Sequence, residues 1–374
     1  MKPIGNIGYG GSERVVESLV RGFASVGYKP YLFAAADSSQ EIKSLCHFFA
    51  VEPTSLRHIA PFATDILARE SRTAFSAMKA LRLAKKLGLD FIINHMGIYA
   101  LAPYAMMEHP LPMATVLHGY MGREADTYLL PELKGHPVIS ISNDQRTHLP
   151  DLNYIATVYN PIPDTFTLRE EDDHDIVLPS KVNLPAGSYL TWVGRFSKDK
   201  RPHLAIDIAA AAQMPIVLAG KRELHEGGYW ETEIAPRLAQ HGELIKFIGE
   251  VNDSEKDALM GGAVASLMPI NWQEPFGLVV PESMNTGTPV IATRMGSMPE
   301  LIEEGRTGFL VPNFADEAKI VSACKKKLAL ITTIDRRECR ETARKRFGIA
   351  KATEGYITAC LNQLVAERRI KKIA

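Results

Sequence analysis

The 374-residue sequence predicts an α/β protein of two domains, each a parallel sheet with helices on both faces. Three observations predict it. Short β-branched or aromatic runs alternate with helical stretches along the chain, the pattern of βαβ units. The length exceeds what one hydrophobic core usually serves. Near the middle, a polar stretch from Asp164 to Gly187 carries the acidic run Glu170–Asp175 and the turn formers Pro179, Pro185 and Gly187.

The elements follow in order. In the first half, apolar runs bounded by Gly, Pro or polar residues predict strands at Tyr31–Ala35, Phe91–Asn94, Ala114–Leu117, Val138–Ile141 and Ala156–Tyr159. In the second half they predict strands at Leu190–Val193, Ile216–Leu218, Lys246–Ile248, Val264–Met268 and Val290–Ala292. Helical spacing covers Arg14–Val26 and Pro202–Gln213, and Arg336 to Ala374 reads as helix with a basic end. The expected domains are residues 1–165 and 187–345, joined by a linker at 166–186, with a C-terminal helix at 346–374. Only nine residues precede Gly10, and Pro3, Gly5 and Gly8 disfavour a strand there, so the first strand of the N-terminal sheet is expected to be missing or atypical.

Composition excludes several classes. Lys plus Arg and Asp plus Glu both number 43, so no basic surplus favours a nucleic-acid polymer. Cys46, Cys324, Cys339 and Cys360 lack zinc-ligand spacing and read as reduced thiols. No membrane-length apolar run or secretory leader stands out, so a cytoplasmic location is expected. Asp65 to Leu87 interleaves Arg69, Arg72, Lys79, Arg82, Lys85 and Lys86 with Ile66, Leu67, Phe75, Met78, Leu81 and Leu83. Such a helix more often packs on its own sheet; weak peripheral contact with anionic lipid is the other reading. Asp173-His-Asp175 mimics a metal-binding DxD but lies in the polar linker, so no metal site is expected.

Four features carry chemistry. Glu274-Pro-Phe-Gly-Leu-Val-Val-Pro-Glu282 follows a buried strand and enters a short helix expected to start near Gly277 and close at Gly287. A helix start at the carboxyl edge of a parallel sheet is an anion site, and a carboxylate there can accept hydrogen bonds from a sugar or ribose diol. The bland alternative is one loop glutamate and one surface glutamate. Gly194-Arg195, with Lys200 five residues on, can flank a diphosphate or form a solvated cation pair. Gly8-Tyr-Gly-Gly-Ser-Glu13 opens a helix and lets the backbone, at Gly10 and Gly11, approach a phosphate or sugar, although a glycine-rich turn alone is a weak motif. His118-Gly119 ends a strand, where a histidine can donate to a sugar hydroxyl or shuttle a proton, or simply be a core histidine.

Together these residues resemble the family 4 retaining glycosyltransferases, whose GT-B fold sets two Rossmann-like domains across a cleft, with the C-terminal helix returning to the N-terminal domain. The specific stretches are WVGRFSKDKRPHLAI from Trp192, PIVLAGK from Pro215, KFIGEV from Lys246, and ASLMPINWQEPFGLVVPESMNTGTPVIATRMGSMPELIEEGRTGFLV from Ala265. The resemblance implies that Glu282 holds the ribose hydroxyls and Glu274 the transferred sugar, with the backbone of Phe276, Gly277 and Leu278 nearby. It implies that Arg195 and Lys200, beside Gly194, neutralise the leaving diphosphate. Gly220, Lys221 and Val251 would lie along the base, Gly10 and Gly11 near the diphosphate, and His118 at the anomeric end. The implied donor is a nucleotide-sugar, a UDP-sugar by family expectation, acting as substrate, with no cofactor or metal. The acceptor, a saccharide, lipid-linked saccharide or small molecule, is not readable. The competing readings are an epimerase or phosphorylase of the same fold, and a non-catalytic nucleotide-sugar binder.

Overall fold

The computed structural model describes residues 4–5, 10–56, 65–122, 135–163, 179–222 and 227–373. The chain forms two compact units: Met1–Pro161 together with Ile349–Ala374, and Ile162–Gly348. The acidic run and its DxD-like triplet lie outside the described residues, as do Gly8 and Tyr9.

The first unit holds α1 (Gly11–Ser25), β1 (Tyr31–Ala35), α2 (Gln40–Ser44), β2 (His47–Glu52), α3 (Ile66–Leu87), β3 (Ile92–Asn94), α4 (Ile98–Ala105), β4 (Met113–Leu117), β5 (Val138–Ser140), α5 (Asn143–Thr147) and β6 (Tyr154–Thr157). Strands β3, β4, β5 and β6 form one parallel sheet in sequence order, and β1 pairs with β2 in a separate two-stranded parallel sheet. β2, whose core is Phe48-Phe-Ala-Val51, is a strand that periodicity alone does not single out. Ile4 is buried with Val20, Ala34, Ile42 and Cys46, and its carbonyl accepts from Ser39 N–H at 3.0 Å. Ile4 therefore fills an apolar position beside β1.

Helix α3 starts where the Asp65 carboxylate caps Ala68 N–H at 2.9 Å and ends at Gly88, whose φ of 64° suits the left-handed turn. It buries Thr73, Ser76, Ala77, Leu81 and Ala84, while Leu67 and Phe75 stay exposed. Glu52 on β2 neutralises part of its basic face through Arg72 at 2.9 Å and Lys79 at 3.8 Å.

The second unit holds β7 (Leu190–Val193), α6 (Pro202–Ala212), β8 (Ile216–Ala219), α7 (Ala235–His241), β9 (Ile245–Phe247), α8 (Asp253–Gly261), β10 (Ala265–Met268), α9 (Val279–Asn285), β11 (Val290–Thr293), α10 (Met298–Leu301), β12 (Gly308–Val311), α11 (Glu317–Leu328) and α12 (Arg336–Phe347). All its strands are parallel, in the spatial order β12-β11-β10-β7-β8-β9. Counted from β7, this is the 3-2-1-4-5-6 order of a doubly wound sheet, with the topological switch between β7 and β10. Alternation along the strands explains the two cores. Leu190, Trp192, Ile216 and Leu218 face one side with Leu204, Ile208 and Ile320; Val217 and Ala219 face the other with Val182, Tyr189 and Leu259. Val182 thus packs into this unit, and the division between units falls at Pro161/Ile162. β12 was also not anticipated; Gly308-Phe-Leu-Val311 is short and opens on glycine.

The long C-terminal helix expected from Arg336 is interrupted. Gly348 is extended (φ −63°, ψ 154°) between α12 and α13 (Ile349–Ile373), and a Cβ there would meet Arg344 O at 2.5 Å. That break marks the return to the first unit. Gly22 of α1 lies against Thr353 and Ile349 of α13, and Gly355 lies against Val158 just after β6. All four cysteines are free, and no helix among the described residues is long and apolar enough to cross a membrane.

Candidate active site

The strand order places the loops after β7 and β10 side by side, and the sequence motifs of the second unit converge there. Gly194 follows β7. Its N–H donates to Ala219 O at 3.0 Å, Gly220 N–H donates to Gly249 O at 2.8 Å, and Phe196 N–H donates to Lys221 O at 2.9 Å. The ends of β7, β8 and β9 are therefore laced together. Gly220 has φ 142°, and a Cβ on it would lie 1.7 Å from Gly194 O. Its glycine is required by this close approach of backbones. Lys221 is exposed on the next loop, and Val251 packs at the rim of the core formed by Val182 and Ile248.

Lys200 stands in the loop after β7. Its backbone N–H donates to Ser197 O at 3.1 Å, and the carbonyl of the flanking Asp199 accepts from Asn271 N–H in the loop after β10 at 2.8 Å. The Lys200 ammonium reaches the Glu274 carboxylate and sits over the Trp272 ring, 4.7 Å from its centroid. Glu274 is 6% exposed. Its backbone is held by its neighbours: Ser297 N–H donates to Glu274 O at 2.9 Å, Gly296 N–H donates to Gln273 Oε1 at 2.9 Å, and Ser297 Oγ–H donates to Phe276 O at 2.7 Å. The Trp272 indole N–H is buried and has no hydrogen-bond partner among the described residues. Arg195 lies 3.8 Å from Asp199.

Gly277, at φ 79°, turns the chain toward α9, which begins at Val279 rather than at Gly277. Leu278 O accepts from Glu282 N–H at 3.0 Å and opens this helix of seven residues. Ser283 ties it to β10 through Ser266 Oγ at 2.7 Å. Glu282 is 2% exposed, and its Oε1 is 2.8 Å from Lys256 Nζ on α8. The two glutamates are thus both buried and each has its own lysine. Burying a carboxylate without a partner is strongly unfavourable, and each lysine offsets that cost for its glutamate.

Lys256, the partner of Glu282, is a residue of this candidate site that the sequence motifs do not announce. Its signal is faint but present: it lies three and four positions before the buried Leu259 and Met260, a cation on the apolar face of a helix. The helix itself is legible from its capping box, in which Asn252 Oδ1 accepts from Glu255 N–H and Glu255 Oε2 accepts from Asn252 N–H, both at 2.9 Å.

The first unit carries the other expected residues. Gly10 is the buried, extended cap of α1, and Gly11 is its exposed first residue. His118 follows β4, and its Nε2 lies 2.9 Å from His95 Nδ1 after β3. Burial pushes the His118 imidazolium down to about 4, and His95 is lowered by burial and by His118. Among the described residues, no group of three or more His, Cys, Asp or Glu is arranged to hold a metal ion.

Two parallel α/β units with the C-terminal helix packed on the first define the chain as a GT-B fold protein, and solved structures agree. AviGT4, a glycosyltransferase involved in avilamycin A biosynthesis, superposes with a TM-score of 0.70 over 97% of this chain and 93% of its own, at 21% identity. Anabaena Alr3699/HepE in complex with UDP gives 0.66 over 97% of this chain and 100% of its own, at 20% identity. Residues 180–346 match the family model of the glycosyl transferases group 1. Curated relatives include an uncharacterized 41.2 kDa protein in the cps region of Klebsiella pneumoniae, 27% identical over 55% of this chain and 54% of its own. The D-inositol 3-phosphate glycosyltransferase of Corynebacterium glutamicum is 30% identical over 43% of this chain and 38% of its own. The chain spans about half the length, or less, of these relatives.

Proposed function

We propose that this protein is a retaining, metal-independent glycosyltransferase that moves a hexosyl group from a UDP-sugar to a hydroxyl acceptor. The observation that carries the reading is the pair of buried, lysine-held carboxylates, Glu274 and Glu282, in and just after the loop that leaves β10 at the switch point of the second sheet. Ligands of doubly wound sheets bind at that edge. Support for the uridine nucleotide comes from the Anabaena HepE structures, solved with UDP and with UDP-glucose.

In this reading Glu282 accepts hydrogen bonds from the ribose diol and Glu274 from the sugar hydroxyls. Val251, Lys221 and Gly220 line the base, while Phe276, Gly277 and Leu278 run past sugar and phosphate. As the bond between C1 and the phosphate oxygen loosens, positive charge builds on the sugar and negative charge on the departing diphosphate. Arg195 and Lys200 stabilise that negative charge, which is the role a metal would otherwise take. The acceptor hydroxyl bonds to C1 on the face the diphosphate leaves, its proton passes to a donor phosphate oxygen, and UDP departs with configuration retained. Gly10 and Gly11 are assigned to the diphosphate and His118 to the sugar.

The test is nucleotide release from UDP-, GDP- and ADP-sugars with a mixed acceptor pool, comparing wild type with Glu282→Gln. Glutamine keeps the shape and still offers Lys256 an acceptor, so a melting curve can verify the fold. UDP release should exceed the other nucleotides and fall at least about tenfold in the variant, the loss of a hydrogen bond to a charged group. Equal release by both proteins would refute the assignment.

A further inference from the structure

The strand ends of the first unit hold a contact with no role so far. His95 Nδ1 and His118 Nε2 are 2.9 Å apart, and the rings are stacked with centroids 5.2 Å apart. A single proton must lie between these two nitrogens, one donating and one accepting. The pair cannot take two protons without losing this bond and setting two cations against each other. Burial favours the neutral rings in the same sense.

His95 is itself firmly placed. Asn94 Nδ2 donates to Gly97 O at 2.9 Å and to Thr115 Oγ1 at 3.0 Å, and Asn94 Oδ1 accepts from Met96 N–H at 2.8 Å. The Asn94 side chain therefore ties the turn on the far side of His95 to the end of β3, and itself bonds to β4. The other neighbour is the Tyr356 ring on α13, 5.9 Å from the imidazole centroid. Among the described residues, His118 Nδ1 makes no hydrogen bond.

We propose that His95 is a positioning residue: it accepts the Nε2–H of His118, fixes that ring in one tautomer, and leaves His118 Nδ1 as a lone pair that accepts a hydrogen bond from a sugar hydroxyl. Both rings then hold the Nε2–H form that neutral imidazole ordinarily prefers. Which nitrogen faces a ligand is set by what the other nitrogen binds. The inference rests on the assignment of His118 to the sugar made above, and its tests separate the two.

The experiment uses the full-length protein. Long-range proton–nitrogen correlation spectra at pH 7.5 read the tautomer of His118 in wild type, His95→Phe and His95→Gln. Phenylalanine keeps a ring against Tyr356 and removes the acceptor; glutamine restores an acceptor oxygen. Wild type should show His118 with a bare Nδ1 and a protonated Nε2. In His95→Phe the two nitrogens should become averaged, and kcat for nucleotide release should fall about tenfold with the donor KM within about twofold, a misplacement effect. His95→Gln should recover most of the tautomer bias and most of kcat. An averaged or reversed tautomer in wild type would overturn the proposal, as would a His95→Phe protein with unchanged spectrum and kcat, or a His95→Gln protein as impaired as His95→Phe. Wild-type turnover by His118→Ala would instead overturn the assignment of His118, while the tautomer spectra still judge the His95 contact.

Discussion

Gly296 offers the sharpest test of how the Glu274 loop is held. It has φ 53°, and a Cβ built on it would lie 2.3 Å from Glu274 N and 2.5 Å from Glu274 O. Both neighbours are backbone atoms, so no side chain can swing away to make room. Gly305, in the same unit, has φ 74° with nothing within 4 Å of the methyl that alanine would add, which makes Gly305→Ala the control. Each alanine carries the left-handed strain of roughly 1–2 kcal/mol. Gly296→Ala adds an overlap that must be relieved by moving the Glu274 backbone, at roughly 1–3 kcal/mol. For a unit of this size, about 2–4 °C of melting temperature accompanies each kcal/mol, so Gly296→Ala should melt roughly 2–12 °C below Gly305→Ala. The displaced backbone carries the carboxylate that Lys200 holds, and a shift of about 1 Å at a reacting centre can cost on the order of a hundredfold in rate. Thermal unfolding followed by circular dichroism, with nucleotide release on the same samples, gives both readings. If the two variants melt within about 2 °C of each other and turn over equally, then Gly296 does not hold Glu274 and the account of this loop fails.

Two further predictions concern the first unit. A Cβ on Gly22 would lie 2.0 Å from Thr353 Oγ1 and 2.8 Å from Ile349 Cγ2, so Gly22→Ala should destabilise the α1–α13 contact by roughly 1–3 kcal/mol. Thr353→Ala should relieve part of that loss, and a double-mutant cycle in urea that shows no coupling would argue against this packing. Burial holds the His118 and His136 imidazoles down at about 4, so they are neutral in the fold at pH values where the unfolded chain, titrating near its ordinary value of about 6.5, takes up protons. Their contribution is full above about 6.5 and is lost as pH falls toward about 4. Urea midpoints should therefore drop between pH 7 and pH 5, by roughly 2–4 kcal/mol of stability for the two groups together, and His136→Gln should flatten the dependence; a midpoint that rises on acidification would contradict it.

Much of the architecture is legible because parallel strands buried on both faces read as short apolar runs. Leu190–Val193 and Tyr31–Ala35 fall where the apolar runs place them to the residue, and most other strands within one or two. β2 and β12 are harder to read, one as a run bounded by His47 and Glu52, the other as four residues opening on glycine. The break at Gly348 is hidden inside an otherwise continuous helical pattern, since a single glycine does not distinguish a weak helix position from an extended one. The placement of Glu274, Arg195 and Lys200 in strand-end loops, and of Glu282 in the short helix that follows, is legible because these residues stand in a recognisable order along the sequence.

The sequence by itself determined where most of the strands lie, β2 and β12 excepted, that they run parallel, and which loops at their carboxyl ends bear carboxylates and cations. Only the tertiary structure decided which of those groups meet. Strand order is invisible to periodicity, because the same alternation serves any order, and it is the switch between β7 and β10 that brings Lys200 to Glu274 across 74 positions. The pairing of Lys256 with Glu282 and of His95 with His118 depends in the same way on how neighbouring elements pack, a property of the assembled fold that no local spacing encodes.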